Sequence, residues 1–489
     1  MTRKIGTIQG KHNTLEVDMI PLVEFPELVQ HYAPFFQDVF SAEAFIEFER
    51  YISGLIVSEN KTVDGINRLF IHESRNQSSL NRLLTGSPFS LEFLNQARLD
   101  LLASLPGTQM KAKGVFSVDD TLLTHYGQDF EQIAQLYDHT TGTYVWAHNL
   151  VTIHYSDDET DYPVLFQLWE PVDLEKLEQG IRAAGIKLKA SKEAWKESEP
   201  QKWRGYLLGV WRRRQKSHAA LQELYDSKLI MVEKLLQQWV QAHPGEERPV
   251  TFDNWFTQPA FCRFLDQTLR LPYVGTLAET DVVNRETGLM SLKDFAAQLK
   301  NQHLQALQNQ TDPVFRKLTI FYKGGHETYY SYCGTHRLHN FGKQRLVINY
   351  RQADLSDNPT FFISNRLYWN SPGITRIRRH RWPVEVYHEE GKAEGLDQYQ
   401  LRSFSAIQRH VALVAVVYSM LRATQHDPTL QEKLQRQLHR KLEGSPAAWR
   451  RASQAHALWC LALLISTGLT QGQSLQHIMA PLLQAVCRS

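Results

Sequence analysis

The chain has 489 residues, 42% of them hydrophobic and 22% charged, with 54 Lys and Arg against 52 Asp and Glu. At roughly 150 residues per domain this suggests about three structural units around substantial cores. The 11% aromatic content excludes dominant disorder, and a net charge of +2 neither demands nor forbids nucleic acid, so the placement of charge matters more than its sum.

The four cysteines, Cys262, Cys333, Cys460 and Cys487, form no C-x-x-C pair, so neither a zinc ribbon nor a disulfide framework is expected. Met1 to His12 is polar, with no apolar stretch of the kind a secretory leader carries. The longest apolar runs, Val411–Leu421 and Ala457–Leu469, fall short of the roughly 20 residues of a membrane span. They read as buried core helices of a protein in the reducing cytoplasm, with no membrane partner.

In chain order, the first hundred residues are helical in pattern. Phe45, Phe48, Tyr51, Ile52 and Leu55 recur at helical spacing, and Ser87-Pro88 reads as a helix start that ends near Pro106-Gly107. From Gly114 the period changes. Val115–Val118, Tyr144–Tyr155 and Pro163–Trp169 read as three strands of an antiparallel meander. A polar stretch from Asp173 to Lys216 ends in Trp211 and the basic run Arg212, Arg213, Arg214, and Ala219–Val240 reads as one amphipathic helix. Pro249–Phe252 and Tyr273–Leu277 are short strands around a helix at Pro259–Leu269. Between about Glu279 and Thr375 strand formers dominate: Leu318–Tyr322, Thr328–Cys333, Arg345–Tyr350 and Phe361–Ser364, with a hairpin turn at Gly324-Gly325. From Arg376 the helical period returns. There are no internal repeats.

Three acidic positions stand where geometry can gather them. Asp119-Asp120 ends the first strand, Asp253 ends the fourth, and Glu385 lies in a helix opened by Pro383. Arg381 is one turn before Glu385 and Lys392 two turns after it. Clustered carboxylates repel unless cations lie between them. Hard divalent ions such as Mg²⁺ take carboxylate and phosphate oxygens. Two ions about 3.5–4 Å apart activate a nucleophile and stabilise a leaving oxygen, while Arg381 and Lys392 would grip flanking phosphates. Each acid alone is as readily a turn former or helix cap. His125, His139 and His148 lack zinc-ligand spacing.

The order of these motifs, with YDHTTGTYVWAHNLVTIHY after the first Asp, VTFDNWF around the second and RWPVEVYHEEGKAEGLDQYQLRSFSAIQRH around the Glu, resembles the DDE transposases of bacterial insertion sequences. The resemblance is to the branch with a β-strand insertion in an RNase H-like catalytic domain, and it runs from about Gly114 to Leu421. It implies an α/β fold with an RNase H-like core interrupted by a β-rich insertion, between helical N- and C-terminal regions. The expected segments are a DNA-binding region at 1–110, core at 111–278, insertion at 279–375, core again at 376–424 and a helical tail at 425–489.

Carried over by position, the resemblance assigns catalysis and metal binding to Asp120 (the first Asp being followed by Thr), Asp253 and Glu385. It implies two Mg²⁺ ions, replaceable by Mn²⁺. Arg381 and Lys392 become DNA-phosphate contacts. Arg378 stands where the family carries Tyr, and the run Arg376, Arg378, Arg379, Arg381 offers phosphate binding in its place. Phe361, Tyr368 and Trp369 are candidates to stack on a flipped base, Trp382 is expected in the core, and Arg212, Arg213 and Arg214 are candidates to follow a DNA backbone. The implied activity is cleavage and strand transfer at terminal inverted repeats, on double-stranded transposon-end and target DNA, by a homodimer at the bacterial nucleoid. The alternatives are a domesticated DNA-binding protein without catalysis and a stand-alone RNase H-like nuclease.

Overall fold

The computed structural model describes residues 21–71, 75–286, 288–442 and 444–486. Met1 to His12 and Cys487 lie outside them. The first helices among the described residues are α1 (Glu27–Tyr32), α2 (Ala42–Val57), α3 (Val63–Asn67), α4 (Gln77–Thr85) and α5 (Leu91–Ser104). The start of α5 departs from the sequence expectation. Ser90 is its cap, not Ser87, because the Ser90 hydroxyl accepts from the Glu92 and Phe93 amides at 3.1 and 3.3 Å and so satisfies the orphan donors of the first turn.

The meander follows: β1 (Val115–His125), β2 (Ala134–Asp138), β3 (Thr143–Ser156) and β4 (Asp161–Trp169). β3 pairs antiparallel with β1 along one edge and with β2 and then β4 along the other. Between β4 and the next strand lie α6 (Leu174–Ala183), α7 (Ala190–Glu193), α8 (Trp195–Ser198), α9 (Pro200–Arg214), α10 (Ala219–Gln222) and α11 (Lys228–Ala242). The single helix expected over Ala219–Val240 is two, broken where Ser227 caps α11 through the Ile230 amide at 3.4 Å. Most of this helical lobe packs on its own small core of Leu177, Ile181, Trp203, Leu207 and Trp211.

Strands β5 (Val250–Phe252) and β6 (Tyr273–Leu277), with α12 (Pro259–Arg263) between them, run parallel to β1. Next come β7 (Val282–Arg285), β8 (Gly288–Ser291), α13 (Leu292–Gln308), β9 (Arg316–Tyr322), β10 (Gly325–Leu338), β11 (Gly342–Tyr350) and β12 (Thr360–Ser364). The expectation of strands throughout this region missed α13. Its signal is a serine N-cap, in which Ser291 accepts from the Asp294 amide at 3.1 Å, followed by Leu292, Phe295, Ala296 and Leu299 buried at helical spacing. The β9–β10 turn is Lys323-Gly324, with φ of 44° and 82°, one residue earlier than expected. Left-handed geometry at both positions matches the twist of a two-residue hairpin.

Strand β12 pairs antiparallel with β6, so the later strands extend the same sheet. Among the described residues the sheet has twelve strands: ten along the path β2-β3-β1-β5-β6-β12-β11-β10-β7-β8, with β4 paired to β3 and β9 to β10 off that path. The chain then forms α14 (Ser371–Arg379), α15 (Trp382–Ala393), α16 (Phe404–Thr424), α17 (Pro428–Leu438), α18 (Pro446–Thr470) and α19 (Leu475–Val486). Helices α2, α4 and α5 share one apolar core with α16, α17 and the first half of α18, so the two ends of the chain stabilise each other.

Helices α16 and α18, with 21 and 25 residues, are long and apolar enough to cross a membrane, longer than the apolar runs within them suggested. In α16, 78% of the most apolar stretch is buried, against 33% in α18. The expectation of a buried helix therefore fails for the second half of α18, where Leu458, Trp459, Leu463 and Leu469 are exposed.

Candidate active site

Parallel pairing fixes the centre of the site. Val118 lies beside Phe252 in the last pair of the β1–β5 ladder, so Asp119 and Asp253 stand next to each other where β5 ends. Strand β1 itself runs on to His125, so Asp119-Asp120 lies within the strand and not at its end as expected, because β3 continues to pair with it. Side chains in register on parallel neighbours share a face, and successive residues on one strand alternate faces. Asp119 and Asp253 are thus on one side of the sheet and Asp120 is on the other.

On the Asp119 side, α15 packs over β1, β3 and β4. Pro383 fits its first turn, with Arg381 at the N-cap position. Arg381 Nη1 donates to Asp119 Oδ2 at 2.8 Å, and its Nη2 pairs with Glu385 Oε1 one turn on. One guanidinium therefore stands between two carboxylates that arrive from distant parts of the chain. Burial pushes the Asp119 carboxyl up to about 6; Arg381 pulls it down, while the nearby Asp120 and Asp253 charges add to the rise.

Arg378 lies beneath this group, with its Nε donating to Thr276 Oγ1 at 2.7 Å and its guanidinium over the Phe362 ring at 5.7 Å. Burial and the neighbouring Arg381 charge push it down to about 9, and Asp253 and Asp119 oppose that shift. Asp253 also serves its own turn, its Oδ1 accepting from the Phe256 amide at 3.1 Å.

On the other side, Phe116 packs on Trp239 of α11, and Asp120 Oδ2 takes Lys228 Nζ of the same helix at 2.7 Å and Asn149 Nδ2 at 2.5 Å. Lys228 also lies 5.4 Å from the centre of the Trp255 ring, which is 46% exposed two residues after Asp253. Trp255 was not singled out from sequence, although its place beside Asp253 was the available signal.

Lys392 is half-buried, two turns along α15 from Glu385, about 10 Å of helix rise, and its charge is felt by His388 and Asp397. The basic run before it divides. Arg376 pairs with Asp158 at 2.7 Å and Arg379 with Glu327 at 2.7 Å, so these two fasten α14 to its surroundings, while Arg378 and Arg381 face the acids. Arg212, Arg213 and Arg214 are exposed in the last turn of α9, where cations also offset the helix dipole.

Phe361 is buried in the main sheet core, Trp369 is partly buried against a separate cluster with Phe362 and Ile374, and Tyr368 is 81% exposed. Trp382, expected in the core, is 52% exposed, because it lies off the buried stripe of α15 formed by Pro383, Val384, Tyr387, His388 and Gly391. His148 bonds to Tyr399 and the Glu131 carbonyl at 2.6 and 2.8 Å, and His125 packs against Phe130 and Tyr399. Both are structural. His139 is exposed.

No curated protein matches the chain. Among solved structures, a cryo-EM structure of a piggyBac transposase synaptic complex with hairpin DNA is similar at 10% identity and a TM-score of 0.36, over 95% of this chain and 81% of that one. A family model described as the DDE superfamily endonuclease matches residues 34–292. That stretch is more than half of the chain and takes in both Asp119 and Asp253, and by it this protein belongs to the DDE superfamily endonucleases.

Proposed function

We propose that the protein is a DDE transposase that cuts DNA at the ends of its own element and joins the freed 3′ ends to a target, with Asp119, Asp253 and Glu385 as the acidic set. The observation that carries this reading is the β1–β5 register, which sets Asp119 beside Asp253, together with the Arg381 bridge that brings Glu385 to Asp119. This reading takes Asp119 as the first acid in place of the expected Asp120, and the pairing of Asp120 with Lys228 supports that choice. The strands β4-β3-β1-β5-β6, antiparallel and then parallel, support an RNase H-like core, and β7 to β12 an insertion that lengthens it.

Three half-buried carboxylates at one edge form a hard-oxygen donor set, which fits Mg²⁺ or Mn²⁺. Two such ions, when bound, would supply positive charge at the attacking and leaving oxygens of an in-line phosphoryl transfer. The protein's own residues do the rest. Arg381 holds the strand-borne and helix-borne acids together. Arg378, fixed through Thr276, offers a planar donor fork to a phosphate. Lys392 extends the basic line along α15, and Trp255, Trp382 and Tyr368 offer exposed rings to unpaired bases. Arg212, Arg213 and Arg214 would follow the backbone of double-stranded DNA farther out. The bare apolar residues of α18 suit pairing of two copies, as bridging two transposon ends requires.

The test is to incubate the full-length protein with a fragment spanning its own locus and both flanks, with Mg²⁺, and to map breaks at nucleotide resolution beside Asp119→Asn and Glu385→Gln. Paired breaks at inverted repeats, absent from both variants, establish the reading. Protection of the flanks without breaks makes the protein a DNA-binding derivative. Breaks with no joining to target make it a stand-alone nuclease.

A further inference from the structure

The C-terminal helix α18 carries a polar pair on its buried stripe. Ala452, Ser453, His456, Ala457 and Cys460 face inward, and the imidazole and thiol are one turn apart on the same face. Cys460 Sγ is 3.6 Å from His456 Nε2 and 3.8 Å from Nδ1. The third member comes from the other end of the chain. Glu24, in the segment just before α1, places Oε1 2.9 Å from Cys460 Sγ. The donor atoms of Glu24, His456 and Cys460 all lie within 4.8 Å of one another. Glu27, buried and paired with Lys433, adds a second carboxylate near the imidazole and the thiol.

We propose that Glu24, His456 and Cys460 form a binding site for one zinc ion that clasps the segment before α1 to helix α18. Nitrogen, sulfur and oxygen donors select a borderline-soft divalent ion and disfavour Mg²⁺, which avoids sulfur. The spacing fits. With Zn–S near 2.3 Å and Zn–N near 2.05 Å, tetrahedral ligands lie roughly 3.6 Å apart, close to the separation of Sγ and Nε2. The shorter contact to Glu24 is a thiol donating to a carboxylate. As the sulfur–zinc bond forms, the thiol proton leaves to solvent and that contact opens. Water or the Glu27 carboxylate completes the fourth position.

The experiment uses the full-length protein stripped with a chelator and given Zn²⁺ or Co²⁺ in excess Mg²⁺. We expect one zinc per chain after gel filtration, a thiolate-to-cobalt charge-transfer band, and a melting temperature raised by zinc. Cys460→Ser and His456→Gln should lose the band and the zinc-dependent rise, while Cys333→Ser keeps both. Glu24→Gln, at an exposed position that folding tolerates, should weaken zinc binding by roughly tenfold or more. An Asp119→Asn, Glu385→Gln double variant should bind zinc as the wild type does, which separates this site from the sheet edge. A folded wild type that retains no zinc overturns the proposal, as does a cobalt band that survives in Cys460→Ser, or unchanged zinc affinity in Glu24→Gln.

Discussion

Adjacent residues on β1 lead into two different environments. Asp119 enters a half-buried group with Arg381, Glu385, Asp253 and Arg378, where positive charge lies between acids that outnumber it. Asp120 meets one lysine and one asparagine in a closed arrangement. Both are carboxylates with a cation at hydrogen-bond distance, so an ion pair alone does not mark a reactive group. What separates them is surplus negative charge supplied from several elements at once, which a structural ion pair does not need.

The sharpest break of this comparison is a pair of isosteric changes. Asp119→Asn should lower the initial rate of DNA nicking by about a thousandfold or more, on the scale of losing a group that acts in the transition state. Asp120→Asn should lower it less than about tenfold. A larger loss from Asp120→Asn would return the first acid to the Lys228 side.

The cations give the next contrast. Arg381→Ala should cost about a hundredfold in nicking rate, with Arg381→Lys recovering little, because a lysine cannot span two carboxylates with one planar fork. Lys228→Ala should leave the rate within a few-fold and lower the melting temperature by a few degrees, since it strands the half-buried Asp120. Kinetics and thermal melts of the three variants check this together.

Acid should separate the two sides without mutation. His154 and His388 are buried on the α15 side, next to Tyr387 and Thr152, and burial pushes them down to about 4 and about 3. The fold holds both neutral, whereas the unfolded chain protonates them near pH 6.5. The stability these two histidines contribute is therefore full above about pH 6.5 and is lost as the pH falls toward 4, because at these sites the unfolded state binds more protons in that window. Hydrogen exchange should accelerate in α15 before α11 between pH 7 and pH 5, and equal acceleration would contradict the assignment. The smallest effect is expected from Trp382→Ala. Its ring is half exposed, so the melting temperature should move by no more than about a degree, while affinity for a frayed DNA end falls a few-fold.

Much of this was legible beforehand. Strands such as Tyr273–Leu277 were readable because a β-branched, aromatic run is bounded by turn residues. Asp253, Arg381 and Glu385 stood out by position and helix offset. The choice between Asp119 and Asp120 was not readable in the same way. It depends on which residue of β5 lies beside Val118, a long-range pairing that local pattern does not encode. The division of the arginine run depends likewise on Asp158 and Glu327, which arrive from separate strands. Helix α13 was hidden among strand formers because its apolar face is narrow, and the exposed stretch of α18 was hidden because apolar content reports burial only on average.

The position of β12 beside β6 has a consequence for timing. The acids of β1 and β5 come from strands that pair directly, whereas Glu385 comes later in the chain than β12, which pairs with β6, and than the return through α14. Contacts that close such long loops form late. A chain that stops before α15 would hold two of the three acids and lack Glu385, and on the proposed reading it would be unable to cut.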